Sequence, residues 1–147
     1  MDQEQNATTL RQLRFKVTPQ RLEVMQCLGD EQSYLSADEV WNRIKPRLGS
    51  ISLPTVYRIL DELAENGVIT RIFRSDRKQY YFLCSNQGHH HHFVCESCRR
   101  VEDIDLCCLE GVAREIARNS GGSVTSHILQ INGLCGVCSE SAPGALP

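Results

Sequence analysis

The chain has 147 residues, 41% apolar and 23% charged, with a formal net charge of −2, the balance of one ordinary globular domain or two small ones. No apolar run approaches the roughly 20 residues a membrane-spanning helix needs, and the polar, acidic opening Met-Asp-Gln-Glu-Gln-Asn is unlike a secretory signal, so a cytoplasmic protein is expected. Charge is unevenly spread: Arg11 to Lys78 carries 12 basic and 9 acidic residues, and Cys84 onward 4 and 7, which assigns any phosphate contact to the first half.

Residues 1–9 carry no apolar period and are expected to form a mobile or loosely helical arm. A first helix opens at Thr18-Pro19, with Thr18 as N-cap and Pro19 at N1, where its missing N–H costs nothing. Leu22, Met25 and Leu28 give it an apolar face, and Gly29 closes it. Cys27 sits among these positions and reads as a small core residue.

Ser36-Ala37-Asp38-Glu39 is a capping box that starts a second helix, with Leu35 and Val40 placed for a hydrophobic staple. Val40, Trp41 and Ile44 form its buried side, and Pro46 and Gly49 are expected to mark its end. A third helix follows Ser52, with Val56, Ile59, Leu60 and Leu63 at i, i+3, i+4 and i+7 and Asn66-Gly67 at its end. That burial leaves Thr55, Tyr57, Arg58, Asp61 and Glu62 outward.

The β-rich runs 68–74 and 79–83 bracket Ser-Asp-Arg-Lys and read as a hairpin with a mostly basic tip. Three helices followed by a hairpin is the winged-helix arrangement, whose third helix can enter the major groove. Arg58 would donate to a guanine edge or a phosphate, Tyr57 would touch a thymine methyl or the backbone, and Arg74, Arg77 and Lys78 would meet phosphates from the wing. The competing reading is a small helical domain with a solvated polar face.

The second half is built around Cys84–Cys98, which holds four of the five histidines. Cys95-Glu-Ser-Cys98 and Cys135-Gly-Val-Cys138 are two C-x-x-C pairs, and two such pairs predict one tetrahedral four-cysteine zinc site. Between them the chain from 105 to about 119 reads as a helix with Leu106, Leu109, Val112, Ala113 and Ile116 inward. Residues 123–131 read as a strand with His127, Leu129 and Ile131 on one side. Cys107 and Cys108 would open the helix, as core or peripheral positions.

If residues 89–94 are extended, successive side chains face opposite ways. His90 and His92 then serve one metal site, with Cys84 and Asp103 to complete it. His89 and His91 serve another, with Glu110 and His127. A purification tag is a poor alternative for four histidines lying inside the chain between apolar strands.

The segments V-T-P-Q-R at 17–21, Y-L-S-A-D-E-V-W at 34–41, I-S-L-P-T-V-Y-R-I-L at 51–60, H-H-H-H-F-V-C-E-S-C at 89–98 and G-L-C-G-V-C at 133–138 together resemble the ferric uptake regulator superfamily of bacterial metal-dependent repressors. The resemblance implies an α+β fold. It has an N-terminal winged-helix DNA-binding domain over 1–84, a hinge at about 84–88, and a metal-binding α/β dimerisation domain over 85–147 that carries the structural four-cysteine zinc. It also implies a homodimer on operator DNA, with Tyr57 and Arg58 at recognition-helix positions. Lys16 matches a minor-groove residue, and Arg21 and Thr55, in the matching V-T-P-Q-R and I-S-L-P-T-V-Y-R-I-L segments, are further expected DNA contacts.

Iron and peroxide sensors of the family usually carry a histidine where this chain has Tyr34, and an oxygen ligand near Leu83-Cys84. A sulfur–nitrogen–oxygen set of Cys84, His90, His92 and Asp103 favours zinc over Fe(II) or Mn(II), so the sequence looks like the zinc uptake branch. The alternatives are siblings responding to iron, manganese, nickel or peroxide. A zinc enzyme would need an open coordination position and a general base, and no H-E-x-x-H motif occurs.

Overall fold

The computed structural model describes residues 3–31, 33–86 and 88–141; positions 1 and 2 of the expected arm and position 87 of the expected hinge lie outside them. The chain divides into two compact units between Ser85 and Asn86.

The first unit holds helices α1 (Gln3–Gln12), α2 (Pro19–Gly29), α3 (Ala37–Leu48) and α4 (Leu53–Glu65), with a three-stranded antiparallel sheet of order β1 (Leu35–Ser36), β3 (Gln79–Phe82), β2 (Thr70–Phe73). Each predicted start is built as expected. Thr18 Oγ1 accepts from the Arg21 amide at 3.3 Å. Ser36 Oγ accepts from the Glu39 amide at 3.3 Å while Glu39 accepts from the Ser36 amide at 2.8 Å. These caps satisfy amides that a helix leaves orphaned.

One core joins the helices. Met25 and Leu28 of α2, Val40 and Ile44 of α3, and Val56, Ile59, Leu60 and Leu63 of α4 are buried, with Tyr81 of the sheet. Cys27 lies in that core, 3% exposed. Trp41 is half-buried and donates to the Ile51 carbonyl at 2.9 Å.

One expectation is sharpened here and one corrected. The described part of the N-terminal arm is helix α1, and its Ala7 and Leu10 are buried; one buried turn is too short to leave a visible period. Pro46 lies inside α3 rather than at its end. It falls in the last turn, where a single lost backbone bond is exposed to water and the helix continues for two more residues.

The second unit holds a sheet of order β5 (Val101–Ile104), β4 (His91–Cys95), β6 (Gln130–Gly133), with helix α5 (Leu109–Ser120) crossing between β5 and β6 and a final turn of helix, α6 (Gly136–Glu140). β4 pairs antiparallel with β5 and parallel with β6. The helix expected from 105 begins only at Leu109, and the strand expected over 123–131 shrinks to Gln130–Gly133.

The positions expected inward on this helix are not buried: Leu106, now ahead of α5, is 78% exposed and Val112 50%, and no α5 residue is buried. Ile131 is also exposed. The apolar period is real, but nothing among the described residues buries that face. Gly121, at φ 69°, ends α5 in the left-handed conformation that favours glycine.

Candidate metal centres and DNA-binding face

The backbone of the second unit delivers both cysteine pairs to one point. β4 ends at Cys95, and the chain turns at once, with the Arg99 amide bonded to the Cys95 carbonyl at 3.1 Å and Arg99 at φ 66°. The Glu96 amide bonds the Gly133 carbonyl at 2.8 Å, holding the end of β6 beside the turn so that Cys135 and Cys138 follow directly. The four sulfurs lie within 4.8 Å of one another.

Cys98 Sγ and Cys135 Sγ are 3.7 Å apart. That is far beyond a disulfide's roughly 2.05 Å and matches the edge of about 3.8 Å expected for four thiolates around zinc at about 2.3 Å. None of the eight cysteines is disulfide-bonded. Burial raises the Cys95 thiol, but amide hydrogen bonds from Cys135, Cys98 and Ser97 outweigh it and hold its pKa at about 6. Four sulfurs at this spacing are a donor set that fits a structural zinc.

The second group uses the alternation of the histidine run. His90 Nε2 and His92 Nε2 are 3.1 Å apart, and their rings meet edge to face at 4.7 Å. The strand register sets His92 opposite Asp103, whose Oδ1 lies 3.8 Å from His92 Nε2. A carbonyl can only accept, so His90 Nδ1–H donates to the Gly88 carbonyl at 2.7 Å, which leaves Nε2 with its lone pair. Asn86 Nδ2 donates to the other Asp103 oxygen at 3.1 Å.

Burial lowers the His92 pKa, with His90 adding to the effect and Asp103 opposing it; the neutral ring is the ligating form. These three side chains fit a cation with nitrogen and oxygen ligands. Cys84 is half-buried in the first unit, one residue before its boundary.

His89, His91 and His127 gather on the other face of β4, as alternation requires, with ring centroids 4.8 to 5.0 Å apart. The structure sets a different side chain beside these three than the expected Glu110. Glu110 is exposed on α5, while Cys107 completes the group, with all four ligand atoms within 4.8 Å. Because α5 starts four residues later than expected, Cys107 lies in the preceding loop and is free to face the sheet. Burial lowers the His91 pKa, and the neighbouring imidazoles lower it further.

In the first unit, the side chains expected to meet DNA divide into two groups. Lys16, Tyr57, Arg58, Arg77 and Lys78 are exposed. Tyr57, Arg77 and Lys78 line one cleft of about 410 Å³ with Ser36, Asp38 and Gln79, and Tyr57 Oη donates to Asp38 at 3.3 Å. Thr55 is half-buried, its hydroxyl 2.8 Å from Ser52 Oγ at the start of α4.

Arg21 and Arg74 make contacts within the unit. Arg74 lies 5.7 Å over the rings of both Tyr34 and Tyr80. Arg21 donates to Glu62 at 2.7 Å and to the Lys16 carbonyl at 3.0 Å, and Glu62 also accepts from Arg58 at 3.0 Å. Glu62 thereby ties the Lys16 segment to α4.

The Arg21 hydrogen bond, aided by Arg58, holds the Glu62 pKa below its ordinary 4.5. A depressed carboxylate contributes stability above its unfolded pKa and loses it as pH falls through the folded value. Glu62→Gln is therefore expected to lower the unfolding midpoint near neutral pH. The difference from wild type should close in acid, which thermal melts across the range will show.

The ferric uptake regulator family model matches residues 12–132. The chain belongs to that family. It is 33% identical over 138 residues to the Escherichia coli K12 ferric uptake regulation protein, covering 92% of this chain and 93% of the relative. It is 28% identical over 137 residues to the Staphylococcus epidermidis peroxide-responsive repressor PerR, covering 93% and 90%. A solved structure described as a zinc uptake regulator complexed with zinc and DNA matches at TM-score 0.75 and 26% identity, over 95% of this chain and 93% of that one.

Members of the ferric uptake regulator family are metal-binding, DNA-binding transcription regulators rather than enzymes. The four-cysteine cluster is consistent with a structural zinc site in such a regulator. The position where iron and peroxide sensors were expected to carry histidine is Tyr34, wholly buried and stacked edge-on against Tyr80 at 5.0 Å. No helix among the described residues is long and apolar enough to cross a membrane. What sequence reading missed is the place of Cys107 beside the histidines, in the loop just ahead of the helix.

Proposed function

We propose that this chain is a zinc-responsive transcriptional repressor of zinc uptake and homeostasis genes, cytoplasmic and acting as a homodimer on operator DNA. The observation that carries the reading is the convergence of His90, His92 and Asp103 in a chain that has a thiol, Cys84, six residues before His90. Cys84 supplies the fourth ligand of the regulatory site. A thiolate, two imidazoles and one carboxylate suit tetrahedral zinc, whereas Fe(II) and Mn(II) prefer oxygen-rich sets of higher coordination number. The buried Tyr34 supports the same choice, because it offers no imidazole where iron sensors of the family do.

Labour divides between residues 1–84, which read DNA, and 85–147, which bind metal and a second copy of the chain. Support for the second copy comes from the open apolar side of the second unit, where Val112 is 50% exposed and Ile131 45%. Tyr57 and Arg58 of α4 read base edges, and Lys16, Arg77 and Lys78 take phosphates. A bound cation contributes charge neutralisation and a fixed ligand geometry; the residues do the rest. Metal occupancy shifts the population toward the DNA-binding dimer only by its differential affinity for that state.

The test is operator binding by fluorescence anisotropy with protein stripped to its structural zinc. Tight binding should disappear on stripping and return on adding zinc. Binding that ignores the chelator would sink the proposal.

A further inference from the structure

Resting on the reading of α4 as the DNA-contacting helix, we propose that Glu62 is a specificity-determining positioning residue. Its carboxylate, anchored by Arg21, holds the Arg58 guanidinium in the orientation that reads a base edge.

Arg58 and Glu62 are four residues apart on α4, a spacing that brings side chains together on one helix face. Glu62 uses its two oxygens on different partners: Oε1 accepts from Arg58 Nη1 at 3.0 Å and Oε2 from Arg21 Nη2 at 2.7 Å. An exposed ion pair of this spacing ordinarily exchanges with water and fixes little. Here the acceptor is itself held. Arg21 comes from α2, its side chain only 15% exposed, and it also donates to the Lys16 carbonyl at 3.0 Å while lying 5.3 Å over the Phe15 ring. These contacts fix Arg21, Arg21 fixes Glu62, and Glu62 fixes Arg58.

The chemistry of the guanidinium makes that restraint matter. Arginine recognises guanine by presenting two N–H groups in one plane to O6 and N7, whereas any of its donors can meet a phosphate. An untethered Arg58, its side chain 59% exposed, would turn to the nearest phosphates and gain affinity without sequence preference. With Nη1 held by Glu62, the plane of the guanidinium is set before DNA arrives. The two-pronged contact then forms without ordering a long side chain. Arg21 has a second effect: its charge offsets that of Glu62, so a carboxylate stands on the DNA-facing helix without repelling the backbone.

The test is the ratio of affinities for two labelled duplexes of equal length. One is selected by the wild-type chain from a random-sequence pool with zinc present, and the other has the same composition in shuffled order. Anisotropy is read well below the melting midpoint of each variant. Glu62→Gln, which keeps the shape and removes the charge, should lower the ratio on the order of tenfold, with binding to the shuffled duplex held or strengthened. The same substitution placed in Arg58→Ala should change the ratio by no more than about twofold, since no guanidinium is left to position. A loss of stability alone would weaken binding to both duplexes alike and leave the ratio where it was.

An unchanged or raised ratio in Glu62→Gln, or an equal fall with and without Arg58, would overturn the proposal. Should Glu62→Gln not fold, Glu62→Asp takes its place. One methylene shorter, it keeps the closer Arg21 contact and lets go of Arg58, so the same pattern is expected and the same outcomes overturn it. If α4 does not read DNA, Arg58→Ala itself binds both duplexes as wild type does, a result that sinks the underlying reading and is distinct from the others.

Discussion

Cys95→Ser is expected to cost the chain its structural zinc and to unfold the second unit. Apart from two histidines, the buried side chains described in that unit are Val94, Cys95 and Cys135, far too few to oppose the conformational entropy of its described residues. The metal therefore replaces a core. Structural zinc contributes on the order of 10–16 kcal/mol in small zinc domains, comparable to or larger than the roughly 5–15 kcal/mol stability of whole domains.

Cys95 is the most demanding of the four positions to replace, being fully buried and aimed at by the Cys135 amide at 3.3 Å. Hydrogen exchange should show protection lost in β4, β5 and β6 and retained in α2, α3 and α4, whose core is separate. Zinc content should fall in parallel. Unchanged protection in β4–β6 with the zinc gone would show that packing suffices.

Cys84→Ser is expected to give the opposite phenotype: a folded chain with its structural zinc, but without metal-dependent operator binding. Coupling energies between an effector and a second site are typically about 1–3 kcal/mol, so zinc should strengthen operator binding by roughly 5- to 150-fold in wild type and hardly at all in the variant. Arg58→Ala completes the separation. It should weaken operator binding at every metal concentration, by about 1–3 kcal/mol if Arg58 reads a guanine, with metal content unchanged. A Cys84→Ser protein that still tightens on its operator when zinc is added would remove Cys84 from the regulatory site.

Local chemistry was legible in the sequence. The capping box at Ser36–Glu39, Thr18 and Pro19 at the start of α2, and the i, i+3, i+4 burial of α4 depend on neighbours a few residues away. The histidine run was legible for the same reason, since the two-residue period of extended chain separates His90 and His92 from His89 and His91 without knowledge of the rest.

What failed depended on distant partners. Leu106 and Val112 follow a helical apolar period but remain exposed, because a periodic pattern shows that a face is apolar and not what covers it. Cys107 was passed over because a helix begun at Asp105 would have carried it on its first turn and put Glu110 near the histidines. Starting the helix at Leu109 frees the thiol and withdraws the carboxylate. The contacts of Arg21 with Glu62 and of Arg74 with the Tyr34–Tyr80 pair, likewise, are set by distant partners and visible only in the tertiary structure.

Metal selectivity of operator binding tests the central claim most directly. The stripped protein, retaining its structural zinc, is titrated with zinc, Fe(II), Mn(II) and Ni(II) at buffered free concentrations while anisotropy follows a labelled operator. The account predicts that zinc restores binding at the lowest free concentration and that Fe(II) and Mn(II) do so only at far higher ones. Restoration by Fe(II) or Mn(II) at concentrations where zinc has no effect would contradict it.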